Sequence, residues 1–177
     1  MSSRQRGSPI PQKAAHQEVR PCRRSFLPSG STIRPRRQPT FYVSIFANSR
    51  IVNVTHYGSA RPRPEGTVMT VDFQLQGQDV NALNGGPHYN FTEALSLLVS
   101  CRSQEEVDEL WDKLGDGGEP GPCGWLKDRY GLSWQIVPVA LGEMLSDPDS
   151  AKSQRVMEAM LQMGKIDVAR LRQASEA

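Results

Sequence analysis

Few residues in this 177-residue chain have the type and spacing for chemistry. Beyond residue 40 the histidines are His56 and His88. His88 follows Gly85-Gly86-Pro87, a strong breaker, where a strand gives way to a loop. A general base could stand at such a junction. The plainer alternative is a polar loop histidine, and no other residue is a catalytic candidate. His56 closes a strand-like run beside Tyr57 and reads as an exposed strand end. Cys22, Cys101 and Cys123 are odd in number, widely spread and free of any Cys-x-x-Cys. Neither a disulfide framework nor a zinc knuckle is expected, and a reducing, cytoplasmic setting is the default. No Ser-His-Asp spacing and no Cys beside a His supports nucleophilic catalysis.

Binding chemistry is better represented. Gly124–Pro138, GWLKDRYGLSWQIVP, reads as two short strands around a turn at Tyr130-Gly131. Alternation puts Ser133, Gln135 and Val137 on one face and Leu132, Trp134 and Ile136 on the other. One face must be core and the other cavity. The polar face is the better cavity candidate, so Gln135 and Ser133 outrank Trp134 as ligand contacts. Trp125, Tyr130 and Trp134 could form an aromatic wall for a planar ligand, although core packing is the commoner fate of strand tryptophans. Lys127-Asp128-Arg129 reads as a solvated strand-turn edge.

These residues need strands to hold them. Phe41–Phe46 looks like the last turns of a helix, followed by strands at Arg50–Tyr57, Thr67–Leu75 and Val80–Leu83. In the second of these, Met69, Val71, Phe73 and Leu75 share a face. A further strand is expected at Glu93–Cys101. Ser103 then caps a helix with Glu106 at the capping-box position and an apolar stripe of Val107, Leu110, Trp111 and Leu114. After the Gly-rich connection Gly115–Gly121 come the two strands above. Helices follow at Val139–Leu145, at Pro148–Met163 behind an Asp147 cap, and at Val168–Ala174 behind Asp167. The order is one β-α-β-β-β unit used twice, its opening strand absent from the first copy. Matching the turn glycines Gly77 and Gly131 sets Asn81 opposite Gln135, which makes Asn81 a cavity candidate too.

Residues 1–40 differ from the rest. Lys13 and eight arginines face a single Glu18, and six prolines interrupt any pattern. The segment should be a disordered basic leader, because it cannot bury enough apolar surface to offset its ordering entropy. Its arginines would attract phosphate, but only Phe26 offers stacking, so nucleic acid is not the expected partner. The prolines also argue against an amphipathic transit peptide. No apolar run is long enough to span a bilayer, so no membrane partner is expected.

FYVSIF with RIVNVTHYG, GTVMTVDFQLQGQ, ALNGGPH, CGWLKDRYGLSWQIVP and the tail DPDSAKSQRVMEAMLQMGKIDVARLRQA resemble the PhnB-like proteins. These are often labelled 3-demethylubiquinone-9 3-methyltransferase-like and belong to the vicinal oxygen chelate superfamily of glyoxalases, extradiol dioxygenases and bleomycin-resistance proteins. The resemblance runs from Phe41 to the end. It implies an α+β fold of paired β-α-β-β-β modules, each curling around a cavity, commonly as homodimers. The family's usual opening strand and acidic-alanine helix are not matched by Arg20–Thr40. That break suggests a wrong start or a frame change upstream, with 41–177 as the domain.

The resemblance also implies a divalent metal held by His and Glu on facing strands. The place of the usual C-terminal Glu reads Gln135, a poor substitute, and its repeat partner Asn81 is no better. No cofactor is therefore expected, and no metal of the usual kind. Methyl transfer from S-adenosylmethionine normally uses a Gly-rich turn after the first strand of a doubly wound sheet. Gly115–Gly118 follows a helix and lacks that setting. Three readings result: a metal-free protein that binds an unknown small molecule through Gln135, Ser133, Asn81, His88 and Trp125; an enzyme with a non-standard site including His88; and, disfavoured, the labelled methyltransferase.

Overall fold

A computed structural model describes residues 25–28 (backbone only), 36–59, 63–86 and 90–177. The described elements form two four-stranded sheets of the same design. The first sheet holds β1 (Ser25–Pro28), β2 (Arg50–His56), β3 (Val68–Leu75) and β4 (Gln78–Leu83), in the order β1-β4-β3-β2. The second holds β5 (Ser96–Cys101), β6 (Glu119–Pro120), β7 (Trp125–Lys127) and β8 (Ser133–Pro138), in the order β5-β8-β7-β6. In both, the opening strand lies parallel to the last, and the other pairs are antiparallel. A helix follows each opening strand: α1 (Arg37–Ile45) and α2 (Gln104–Gly115). The chain is thus α+β, with β-α-β-β-β used twice.

The core explains why two modules make one body. Phe73, Val80 and Ala82 of the first sheet, Val99, Leu126, Trp134 and Ile136 of the second, and Tyr42, Phe46, Val107, Leu110 and Leu114 of the helices and the end of α1 form one buried cluster. Helix α1 touches both sheets. The Tyr42 ring stands 6.5 Å from Phe73 and 5.3 Å from Trp134, and Phe46 stacks on Trp134 at 5.4 Å. Each sheet spends one face on this core, and its alternate residues form an opposite face with few apolar side chains. Helix α2 starts as its sequence indicates. Ser103 Oγ accepts from the Glu106 N–H at 3.3 Å, and the Glu106 carboxylate reaches back to the Arg102 N–H at 2.7 Å.

Helices α3 (Val139–Leu145), α4 (Ser150–Leu161) and α5 (Val168–Glu176) build a second core of Leu141, Val156, Met163, Ile166 and Leu171. Gln104 ties them to α2. Its Nε2 donates to the Ile166 carbonyl at 3.0 Å and its Oε1 accepts from the Val168 N–H at 2.8 Å. No described helix is long and apolar enough to cross a membrane.

Several expectations need correction. The first module has a strand in the opening position: Ser25–Pro28 runs parallel to β4, with Phe26 beside Asn81. Four residues carry no readable period, and it is pairing with the edge of β4 that makes them a strand. Helix α1 begins at Arg37, inside the segment read as leader, because Gln38 and Pro39 are buried and Gln38 Nε2 donates to Tyr42 Oη at 2.8 Å. Helix α4 starts two residues later than expected. Asp149 caps the Ala151 N–H at 2.9 Å, while Asp147 is used in a turn that accepts from the Asp149 N–H. Strand β5 starts at Ser96, not Glu93. The rest of residues 1–40 lies outside the described residues.

Candidate functional site

Strand pairing decides which side chains meet. In the second sheet Trp125 lies opposite Gln135 and Lys127 opposite Ser133. The parallel pair sets Ser96 beside Ser133 and Leu98 beside Gln135. Paired residues share a face, so Ser96, Leu98, Trp125, Lys127, Ser133 and Gln135 occupy the side away from the core. Leu126, Trp134 and Ile136 fill the other, each 3% exposed or less.

A cavity of about 420 Å³ opens on that outer side, lined by Trp125, Lys127, Ser133, Glu93, Glu119 and the Pro120–Pro122 turn. Ser133 is only 2% exposed there. Lys127 Nζ reaches the Glu93 carboxylate at 2.6 Å and that of Glu119 at 4.0 Å. The contact with Lys127 lowers the Glu93 carboxyl below its ordinary value and raises the Lys127 ammonium above its own. The cavity rim is positioned by the C-terminal helices. The Cys123 N–H donates to the Met163 carbonyl and the Gly124 N–H to that of Gly164, both at 2.7 Å.

Of the residues singled out from sequence, Ser133 and Trp125 line this cavity. Gln135 shares their face, where its Nε2 donates to Ser96 Oγ at 2.8 Å. Asn81 sits in the first sheet at the place equivalent to Gln135, on the last strand and beside the opening one. Its Nδ2 donates to Asp72 Oδ1 at 2.7 Å, and its Oδ1 is buried without a partner among the described residues. Asn81 and Gln135 therefore belong to separate sheet faces and do not meet within one chain. His88 lies outside the described residues. His56 is exposed at the end of β2.

Among the described residues the donor set does not fit the divalent metal of the superfamily. Such an ion needs several convergent nitrogen or carboxylate lone pairs. Gln135 and Asn81 each turn an amide N–H onto a neighbour, and among the described residues no three His, Cys, Asp or Glu side chains converge. Gly115–Gly118 gives no nucleotide turn either. It ends α2, with the Gly118 N–H closing on the Gly115 carbonyl at 2.9 Å.

The Lys127-Asp128-Arg129 run is not the solvated edge its composition suggests. Asp128 is 3% exposed. Its carboxylate accepts from Tyr42 Oη (2.7 Å), Trp134 Nε1 (2.9 Å) and the N–H groups of Tyr130 (2.8 Å) and Leu132 (3.1 Å). Those donors make its burial tolerable. Desolvation still pushes the Asp128 carboxyl above its ordinary value, and burial, then Asp128 itself, push the Tyr42 hydroxyl well up. The local signal was present: an Asp two residues before Tyr130 can close a turn on that residue's N–H. Its long-range donors Tyr42 and Trp134 left no such trace. Arg129 alone follows expectation. It is exposed, pairs with Asp116, and lays its guanidinium 4.9 Å from the Phe41 ring centre.

Two β-α-β-β-β modules packed on one core are the architecture of a vicinal oxygen chelate protein of the PhnB-like kind. Residues 36–137 match the 3-demethylubiquinone-9 3-methyltransferase family, and the chain belongs to that family. Among solved structures, a PhnB protein of Bacillus cereus with the same methyltransferase label shares 32% identity at a TM-score of 0.57. That match covers 65% of this chain and 97% of the other. A Pseudomonas aeruginosa protein matches at 15% identity and a TM-score of 0.50, over 65% of this chain and 95% of its own. A fosfomycin resistance protein of Listeria monocytogenes, solved with Mn(II) and a dihydroxypropylphosphonic acid, matches at 14% identity and a TM-score of 0.46, over 66% and 89%. No curated protein matches the sequence.

Proposed function

We propose that this chain is a small-molecule-binding protein of its superfamily, with its ligand on the outer face of the second sheet and without the usual divalent metal. The observation that carries the reading is the cavity beside Gln135. It has an aromatic wall in Trp125 and the hydroxyl of Ser133, and next to Trp125 on the same face the Gln135 amide donates to Ser96 where a metal-binding carboxylate is expected. A pocket of a few hundred Å³ with an apolar wall and a few polar groups suits a small organic ligand.

A second copy of the chain completes the site. Leu98, beside Gln135 on the same outer face, is 58% exposed. Leu98 stands on the edge strand β5, and an edge strand is the kind of surface that association covers. Leu98→Glu should convert dimers to monomers in sedimentation velocity and weaken ligand binding together with assembly. Metal analysis tests the other half of the reading: protein purified without added metal should hold none in stoichiometric amount, and a stoichiometric divalent ion would overturn it. Ligands found by screening the full chain should bind more weakly to Gln135→Ala. Unchanged affinity would mean that the ligand sits elsewhere.

A further inference from the structure

The charges and the buried hydroxyl of the cavity restrict what it can hold, given the reading of this face as a ligand site. Two carboxylates, Glu93 and Glu119, flank one ammonium, Lys127, and all three line the cavity. The ammonium is already engaged at 2.6 Å by Glu93. An entering anion would meet a wall of net negative charge and would have to break that pair to reach the lysine. A cation or a neutral molecule has no such obstacle. Ser133 supplies the second restriction. It is 2% exposed and lines the cavity. A hydroxyl on the cavity wall, able to donate and to accept, favours a ligand that brings it a hydrogen-bonding group. The remaining walls, Trp125, Pro120 and Pro122, are flat and apolar, as suits a ring system.

We infer that the cavity selects a planar, ring-sized molecule that is neutral or cationic and presents one hydrogen-bonding group to Ser133, and that it discriminates against carboxylates and phosphonates. The assignment differs from that of an anion-binding site, where a lysine would be free to pair with the ligand.

An isosteric series tests it. Naphthol, naphthylmethylamine and naphthoate present one ring system as a neutral, a cationic and an anionic molecule. Titrated calorimetrically into the full chain at neutral pH and low salt, the first two should bind at least roughly fivefold more tightly than naphthoate, the scale of a partly exposed charge pair. Glu93→Gln, an exposed position, should narrow that gap. Ser133→Ala should weaken naphthol, and Ser133→Thr, which restores the hydroxyl, should recover part of the loss. Naphthoate binding as tightly as the others, or naphthol binding unchanged by Ser133→Ala, overturns this inference and leaves the cavity standing. If none of the three binds, or if Trp125→Ala leaves all three affinities unchanged, the reading of this face as the ligand site falls, and the inference with it.

Discussion

Tyr42 on α1 donates a 2.7 Å hydrogen bond to the Asp128 carboxylate in the β7–β8 turn, across 86 positions of sequence. The bond joins the first module's helix to the second module's last hairpin. Asp128 also holds Trp134, which forms the floor under the cavity face, so the alignment of the two modules and the shape of the site depend on one buried carboxylate.

Tyr42→Phe should therefore destabilise the fold by about 1–3 kcal/mol, the cost of leaving a buried acceptor short of a donor. Urea denaturation measures it. The double variant with Asp128→Asn should be less destabilised than the two single losses added together, because the partners share one interaction. Strict additivity would show that the bond carries little coupling.

The same carboxyl predicts a pH dependence. Its folded value is raised above the ordinary 3.8 by desolvation. The folded state then holds the proton more tightly than the unfolded state, so this contribution is complete below the unfolded value and is lost as pH rises through the folded one. Measured by denaturation from about pH 3 to about pH 7, the stability of the parent should fall relative to Asp128→Asn across that window. A parent that gains on the variant as pH rises would contradict the sign.

Gly124 has φ of +81°, and a Cβ there would lie 2.8 Å from the Ile136 carbonyl. Gly124→Ala should cost about 2 kcal/mol or more, from backbone strain and the clash together. It should also displace the Gly121–Gly124 rim and weaken any ligand of the cavity. Chemical denaturation and calorimetry on the same variant read the two effects.

Gln104→Ala removes both hydrogen bonds that anchor the start of α5. Hydrogen exchange in Val168–Glu176 should accelerate by about tenfold or more, corresponding to about 1–2 kcal/mol of local stability, while β7 and β8 stay protected. Uniform loss of protection across the chain would place the anchor in the global fold instead.

Much of this architecture is legible in the residue pattern. Alternation in VMTVDFQL separates the buried Val71 and Phe73 from the outward Thr70, Asp72 and Gln74, and the same rule sorts Ser133 and Gln135 from Trp134 and Ile136. The Ser103 cap and the α2 stripe are equally local. What local rules misjudge is Asp128. Its neighbour Arg129 does reach the surface, and nothing in the local pattern announces that Tyr42 and Trp134 converge on the Asp128 carboxylate. The start of α1 is missed for the same reason: Gln38 is buried by its bond to Tyr42 inside the core, whereas its neighbours in sequence are arginines and prolines.

Sequence periodicity was enough to indicate the repeated strand-helix-strand pattern and to sort Ser133 and Gln135 from Trp134 and Ile136, since each depends on spacings of two to four residues along one strand or helix. The fold was needed to bring Glu93, Glu119 and Lys127 around one opening, to bury Ser133 within it, and to seat Asp128 between α1 and β8. Glu93 is remote in sequence from Lys127, and Tyr42 lies 86 positions from Asp128. The protonation and partners of these groups follow from desolvation, which depends on everything packed around a side chain and not on its place in the chain.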